Sequence, residues 1–212
     1  MLLAPHTTQN AKLKTQNSMP RYFIINKPFD MVSQFVSTHD VKLLGDLDFD
    51  FPANTHAVGR LDNHSEGLLI LTTNKKITRL LFLNEVPHKR TYLVQVNNIV
   101  SAENLKRLQT GVEIRIKTGV TYTTTPCEVS IVPNPEKLYD LGDRLTAYEP
   151  FTWLLMTITE GKFHQVRKMI AAIRHKCKRL IRISIEDLEL DGLKAGGVRE
   201  LEEEVFFEKL KI

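Results

Sequence analysis

The sequence predicts an α+β fold built on a mixed, mostly antiparallel sheet flanked by helices. Three observations lead there. Several apolar runs have strand length and are rich in β-branched and aromatic residues, while only a few stretches repeat at the helical period. The two kinds are interspersed without the regular strand–helix alternation of a parallel sheet.

Residues 1–19 are polar, with little apolar periodicity, and read as a flexible leader to a single catalytic-size unit over 20–212. Order is expected to begin at Arg21-Tyr22-Phe23-Ile24-Ile25, a β-rich run ended by Asn26-Lys27-Pro28. Asp46 to Asn54, with three Asp and a Pro, reads as a loop. Leu68 to Thr72 is a continuous apolar run of strand length. It leads into a helix over Lys75–Asn84, where Ile77, Leu80 and Leu81 share a face. Thr91 to Val96 is a further strand. Ser101 N-caps a short helix carrying Leu105 and Leu108, and Gly111 closes it. Glu113 to Val132 is β-rich with a turn at Thr118-Gly119, and Pro133 to Pro150 is a surface loop. Trp153 to Thr159 is a strand, with Trp153 a core anchor. Val166, Met169, Ile170 and Ile173 form one helix stripe. Leu180 to Ile185 alternates, with Ile181, Ile183 and Ile185 on one face and Arg182 and Ser184 on the other.

Composition narrows the class. Apolar residues are 42% and charged residues 25%, as in an ordinary soluble globular protein. No apolar run approaches the roughly 18 residues of a membrane span, and no secretory signal is legible, so a cytoplasmic protein without membrane contact is expected. Two cysteines, Cys127 and Cys177, make neither a disulfide framework nor a metal-ligand pattern. The net charge is only +4, but it is unevenly placed. Glu160 to Arg182 carries eight Lys or Arg against one acid, while Glu186 to Ile212 carries nine acids against four bases. Concentrated cations suit a polyanion, although such a run is also compatible with a solvated face.

The strongest local signal is His56-Ala57-Val58-Gly59-Arg60-Leu61-Asp62-Asn63-His64-Ser65-Glu66-Gly67-Leu68-Leu69-Ile70-Leu71-Thr72. It is a polar, glycine-containing turn set just before a buried strand, a placement that presents side chains from a rigid support. Arg60 beside Asp62 favours the ionised carboxylate. By spacing alone, the favoured reading of Asp62 is a turn-forming residue with Arg60 as its surface partner.

Gly59-Arg60-Leu61-Asp62 followed by Ser65-x-Gly67-Leu68-Leu69 resembles the catalytic motif of the RNA pseudouridine synthases, in the small-subunit-type branch, which also modifies large-subunit rRNA. Three further segments agree in order: Asn26-Lys27-Pro28, Lys89-Arg90-Thr91-Tyr92-Leu93-Val94, and Glu160 to Met169. The resemblance runs from about Tyr22 to Glu204. It implies two subdomains with a central cleft, ribosomal RNA (23S rRNA) as the partner, and a monomer. It also implies three catalytic residues: Asp62 acting at the ribose, Tyr92 lying against the target base, and Arg167 pairing with the aspartate. Arg60 corresponds to the arginine that fills the gap left by the flipped nucleotide. His164, Gln165 and Lys168 are expected at the RNA, and Lys176, Lys178 and Arg179, with Arg182, at its phosphates.

The implied reaction cleaves C1′–N1, rotates the uracil and joins C5 to C1′. Nothing is gained or lost overall, so neither a metal nor another cofactor is expected. Carboxylates act at comparable carbon centres in glycosidases. An arginine can hold such a carboxylate while remaining charged. Tyrosine offers a ring for stacking and a hydroxyl for proton transfer. The target base must leave its stack at a cost of a few kcal/mol, which phosphate contacts can offset.

The S4-type RNA-binding module of many relatives is expected to be absent, since only about twenty polar residues precede the first strand, and the chain departs from the family pattern at two places where glycine is usual: Asp30, and Arg174 before His175. Arginine at φ > 0 would be strained, so the turn at Arg174 is expected to differ. Two other readings compete: a non-catalytic rRNA-binding assembly factor, and a hydrolytic glycosidase that would need Glu66 as its second carboxylate.

Overall fold

The computed structural model describes residues 19–82, 86–142 and 150–212. The strands in chain order are β1 (Tyr22–Lys27), β2 (His56–Val58), β3 (Glu66–Thr72), β4 (Arg90–Asn97), β5 (Glu113–Lys117), β6 (Val120–Thr123), β7 (Glu128–Ile131), β8 (Phe151–Ile158), β9 (Cys177–Ile185), β10 (Leu188–Glu189) and β11 (Val198–Leu201). The helices are α1 (Ile77–Phe82), α2 (Ala102–Thr110), α3 (Gln165–Ala172) and α4 (Glu203–Leu210). Nine strands form one sheet with the order β11-β1-β3-β9-β4-β8-β7, in which β2 pairs β3 and β10 pairs β9; β5 and β6 make a separate hairpin.

Every strand pair is antiparallel except β3–β9. That parallel seam has only two registered pairs, Glu66 with Ile181 and Gly67 with Arg182. The expected two subdomains are therefore two half-sheets fused along a short seam. Alternation along the strands gives each face its own core. Phe23, Leu69, Val94 and Met156 pack with Met169 and Ile170 of α3 on one side. Ile24, Ile70, Leu93 and Ile181 pack with Ile77 of α1 and Phe206 of α4 on the other. Trp153 is buried in this second core, as the sequence suggests.

Gly67 makes the seam possible. Its φ is +98°, and a Cβ there would lie 2.2 Å from the Arg182 carbonyl oxygen. Next to it, Arg179 forms a fork on Glu66, with Nε and Nη2 each 2.8 Å from a carboxylate oxygen, and Nη1 bonded to the Leu141 carbonyl. Arg179 is only 5% exposed, so its assignment to RNA phosphates is corrected: it neutralises the buried Glu66. Arg182 is likewise inside. Lys176 and Lys178 remain on the surface.

Most expected elements appear within a residue or two. Ser101 caps α2 by accepting from the Asn104 amide, and Gly111 follows it at φ +101°. The predicted helix over Lys75–Asn84 is seen as Ile77–Phe82; Leu83 and Asn84 lie outside the described residues, as do residues 1–18 of the leader and 143–149 of the loop before Pro150. The turn at Arg174 contradicts the expectation. The His175 amide donates to the Ile170 carbonyl and the Arg174 amide to that of Ala171, with Arg174 at φ +62°. This is a Schellman close on α3, with arginine in the position that favours glycine. Asp30, the other departure, also has positive φ, +57°.

Arg174→Gly is expected to raise stability by about 0.5–1 kcal/mol, the left-handed penalty of a side chain less the extra entropy of glycine; urea unfolding measures it. Arg179→Met should cost about 3–5 kcal/mol by removing the guanidinium that pairs with the buried Glu66. Lys176→Ala should stay within about 0.5 kcal/mol.

Candidate active site

Asp62 stands at the end of a loop that enters β3 from one half-sheet. Its partners come from the other half. The loop is held from below by the segment after β1. Lys27 is fully buried, and its ammonium donates to the carbonyls of Pro28 (2.9 Å), Met31 (2.6 Å) and Asn63 (3.2 Å). The Ser33 hydroxyl donates to the Leu61 carbonyl (2.8 Å) and accepts from the Leu61 amide (3.0 Å). Asn63 donates from its amide to Asp30 (2.8 Å), and the Ser65 amide closes a turn on the Asp62 carbonyl (3.0 Å). These bonds fix the backbone on both sides of Asp62.

An imidazole and a guanidinium face the Asp62 carboxylate. His164 Nε2 lies 3.2 Å from Oδ1, and Arg167 Nε lies 3.7 Å from Oδ2. Arg167 is itself fixed by donating from Nη2 to the His64 carbonyl (2.8 Å) and the Ser65 hydroxyl (3.2 Å). It does not simply extend into solvent from the helix. His164 adopts the left-handed conformation at the head of α3, φ 54° and ψ 32°, and stacks on Phe163. That backbone turn aims the imidazole back at Asp62.

Asp62 and Tyr92 line one cavity of about 90 Å³, walled also by Leu61, Ile158, His164 and Leu180. Tyr92 is 8% exposed and has the neighbouring strands on both sides: β8 through Met156 and β9 through Arg182. Arg60 is exposed and lines the same cavity. The structure thus brings together Asp62, Tyr92, Arg167, Arg60 and His164. Lys168 lies close by, its ammonium 5.2 Å over the Phe163 ring.

Gln165 lines the same cavity, but its side chain is already engaged within the protein. It is 4% exposed and spends its amide inside the protein, accepting from the Lys162 amide (2.8 Å) and donating to Glu160 (2.7 Å). Glu160 in turn accepts from the Tyr122 hydroxyl and the Thr125 amide. Gln165 is a structural cap tying α3 to the β5–β6 hairpin. Glu66 is buried in its pair with Arg179 and cannot serve as a second, water-activating carboxylate, which removes the hydrolytic reading. Burial pushes the thiols of Cys127 and Cys177 up to about 11, so neither is a thiolate nucleophile at neutral pH.

Sequence reading missed Lys27, Ser33 and Asp30 as supports of the loop. The one available signal was a lysine two residues after the apolar run Tyr22–Ile25, costly to bury unless its head finds acceptors.

Burial lowers the Lys27 ammonium to about 8, against the opposing attraction of Glu66, Asp62 and Asp30. The unfolded chain keeps this proton up to its ordinary value of 10.5, so unfolding takes up a proton between these limits. The contribution to stability therefore rises with pH across that window and is constant below it. Relative to Lys27→Met, the wild type should gain about 2 kcal/mol between pH 8 and pH 10 in urea titrations.

Comparison with known proteins agrees with this geometry. The sequence profile described as RNA pseudouridylate synthase matches residues 21–172. The chain is 35% identical over 185 residues to ribosomal large subunit pseudouridine synthase E of Vibrio parahaemolyticus, covering 86% of this chain and 74% of that one. It is 34% identical over 172 residues to the protein of the same name from Xanthomonas axonopodis pv. citri, covering 80% and 88%. Among solved structures, a crystal structure of a pseudouridylate synthase superposes with a TM-score of 0.73 at 27% identity, covering 91% of this chain and 74% of the other. With the profile spanning most of the sheet and both strands that carry Asp62 and Tyr92 to the cavity, the chain belongs to the RNA pseudouridylate synthase family.

Proposed function

We propose that this pseudouridine synthase acts on ribosomal RNA of the large subunit, 23S rRNA, as a cytoplasmic monomer, with Asp62, Tyr92 and Arg167 as its catalytic residues. The relatives named for the large ribosomal subunit support the substrate. One observation carries the catalytic assignment: the Asp62 carboxylate is held between Arg167 and His164 on the wall of a small cavity that it shares with Tyr92.

The uridine is everted into that cavity, and Arg60, exposed on the loop, fills the place it leaves. Asp62 acts at the ribose, either attacking C1′ or taking the C2′ proton, and the C1′–N1 bond breaks. Both routes need an ionised carboxylate, and the Arg167 guanidinium lies 3.7 Å from it. The freed uracil turns so that C5 meets C1′. Joining them leaves a surplus proton on C5; Tyr92 helps remove it, and N1 ends protonated. His164 and Lys168 at the cavity mouth, with Lys176 and Lys178 on the adjoining surface, contact the RNA chain. Their charges attract the backbone without reading its sequence.

The test uses rRNA labelled with tritium at C5 of uridine, taken from cells lacking the gene. Wild type should release tritium, Asp62→Asn should release none, and Tyr92→Phe should slow release by roughly 10²–10⁴-fold. Equal release by wild type and Asp62→Asn would end the assignment of Asp62. If Asp62→Asn restores growth and assembly with no pseudouridine lost anywhere in the rRNA, the assembly-factor reading takes its place.

A further inference from the structure

A second cavity, about 510 Å³, adjoins the small one and shares Arg60, Tyr92 and Lys162 with it. It contains two guanidiniums for which the chemistry above has no use. Arg90 precedes Tyr92 by two residues on β4, and Arg182 is the partner of Tyr92 on β9, so all three line the same cavity.

Among the described residues, neither arginine has a carboxylate paired with it. Arg182 is 3% exposed; its Nε donates to the Leu68 carbonyl (2.8 Å), and its Nη2 has no hydrogen-bond partner. Arg90 donates from Nη2 to the Thr159 carbonyl and lies 5.5 Å over the Phe82 ring, and its Nε is unpartnered. Among the described residues, no carboxylate lies within ion-pair distance of either. Glu160 lines the same cavity, but it is engaged by Tyr122, Thr125 and Gln165. The contrast with Arg179, which has its own buried glutamate, is direct. Burial lowers the Arg90 pKa, and the Arg182 charge adds to that effect against the pull of Tyr92, Glu160 and Glu186. Gly161 leaves the room: a Cβ there would lie 2.9 Å from Arg90 Nη1.

Two like charges held in a low dielectric without a counter-ion are expensive. A fold retains them where a ligand supplies the anion. Guanidinium forks match the oxygens of a phosphate. We propose that Arg90 and Arg182 form a subsite for one phosphodiester of the substrate RNA, next to the everted uridine. This rests on the pseudouridine synthase reading above. The subsite pins the ribose–phosphate on one side while the loop presents Asp62 to the sugar, and it places a backbone contact beside Tyr92.

The test is binding of an rRNA fragment containing the modified uridine, in the Asp62→Asn background so that no turnover occurs. Arg90→Gln should weaken binding about 10-fold and reduce the slope of log K against log salt by about 0.7–0.9, while Arg90→Lys keeps the slope. Fragments with a neutral methylphosphonate in place of the phosphate 5′ or 3′ of that uridine locate the contact. At one of the two positions the neutral linkage should weaken the Arg90 form but leave Arg90→Gln unchanged, since the partner is already gone. Arg182→Gln should behave alike; should it fail to fold, by its thermal midpoint, Arg90→Gln still decides the matter. Equal losses for both forms at both positions, with the wild type still forming pseudouridine, overturn the subsite and leave the catalytic assignment standing. A wild type that forms no pseudouridine overturns both.

Discussion

The two-pair parallel seam between β3 and β9 is the constraint on which the site depends. Asp62 belongs to the half-sheet of β1 and β3; Tyr92 and Arg167 belong to the half built on β4, β8 and β9. Only where the halves fuse can a carboxylate from one meet a guanidinium and a phenol from the other. The seam is closed by backbone contact at Gly67 and by the Glu66–Arg179 fork beneath it. A buried ion pair of this kind adds little net stability over a well-packed apolar pair, but losing one partner is severe. Here it also enforces register, because a one-residue slip would turn Glu66 away from Arg179.

Charge is distributed by depth. Closest to the carboxylate are Arg167 and His164; below the loop is Lys27, which serves by donating to carbonyls. Outside lie Lys176 and Lys178, both exposed on the surface. Between these layers sit Arg90, half-buried, and Arg182, buried, without carboxylate partners among the described residues. The excess of cations over Glu160–Arg182 thus serves several separate purposes.

Much of this was legible beforehand. Strands with clear runs, such as Leu68–Thr72 and Thr91–Val96, and the Val166–Ile173 stripe appear as expected, because each local pattern agrees with its burial. The pairing of Asp62 with Arg167 followed from motif resemblance, not from spacing, since more than a hundred residues separate them. What stayed hidden has a common cause. Alternation in Leu180–Ile185 placed Arg182 on a polar face, yet β9 lies between two strands with cores on both sides, so its polar residues turn inward. Arg179 and Gln165 looked like surface groups because their partners, Glu66 and Glu160, are identified only by the fold. The C-terminal strand and helix, Val198–Leu201 and Glu203–Leu210, were masked by their nine-acid surroundings, although Phe206 and Leu210 are fully buried.

The separation along the chain has a consequence for biosynthesis. β3 finds its parallel neighbour more than a hundred positions later, and the outer edge of β1 is covered only by β11. Such distant pairings are slow to form and come late. A polypeptide still being synthesised therefore carries Asp62 with no Arg167 facing it until β9 has been made and has found β3. The cavity is assembled when the sheet closes, not gradually as each motif is translated.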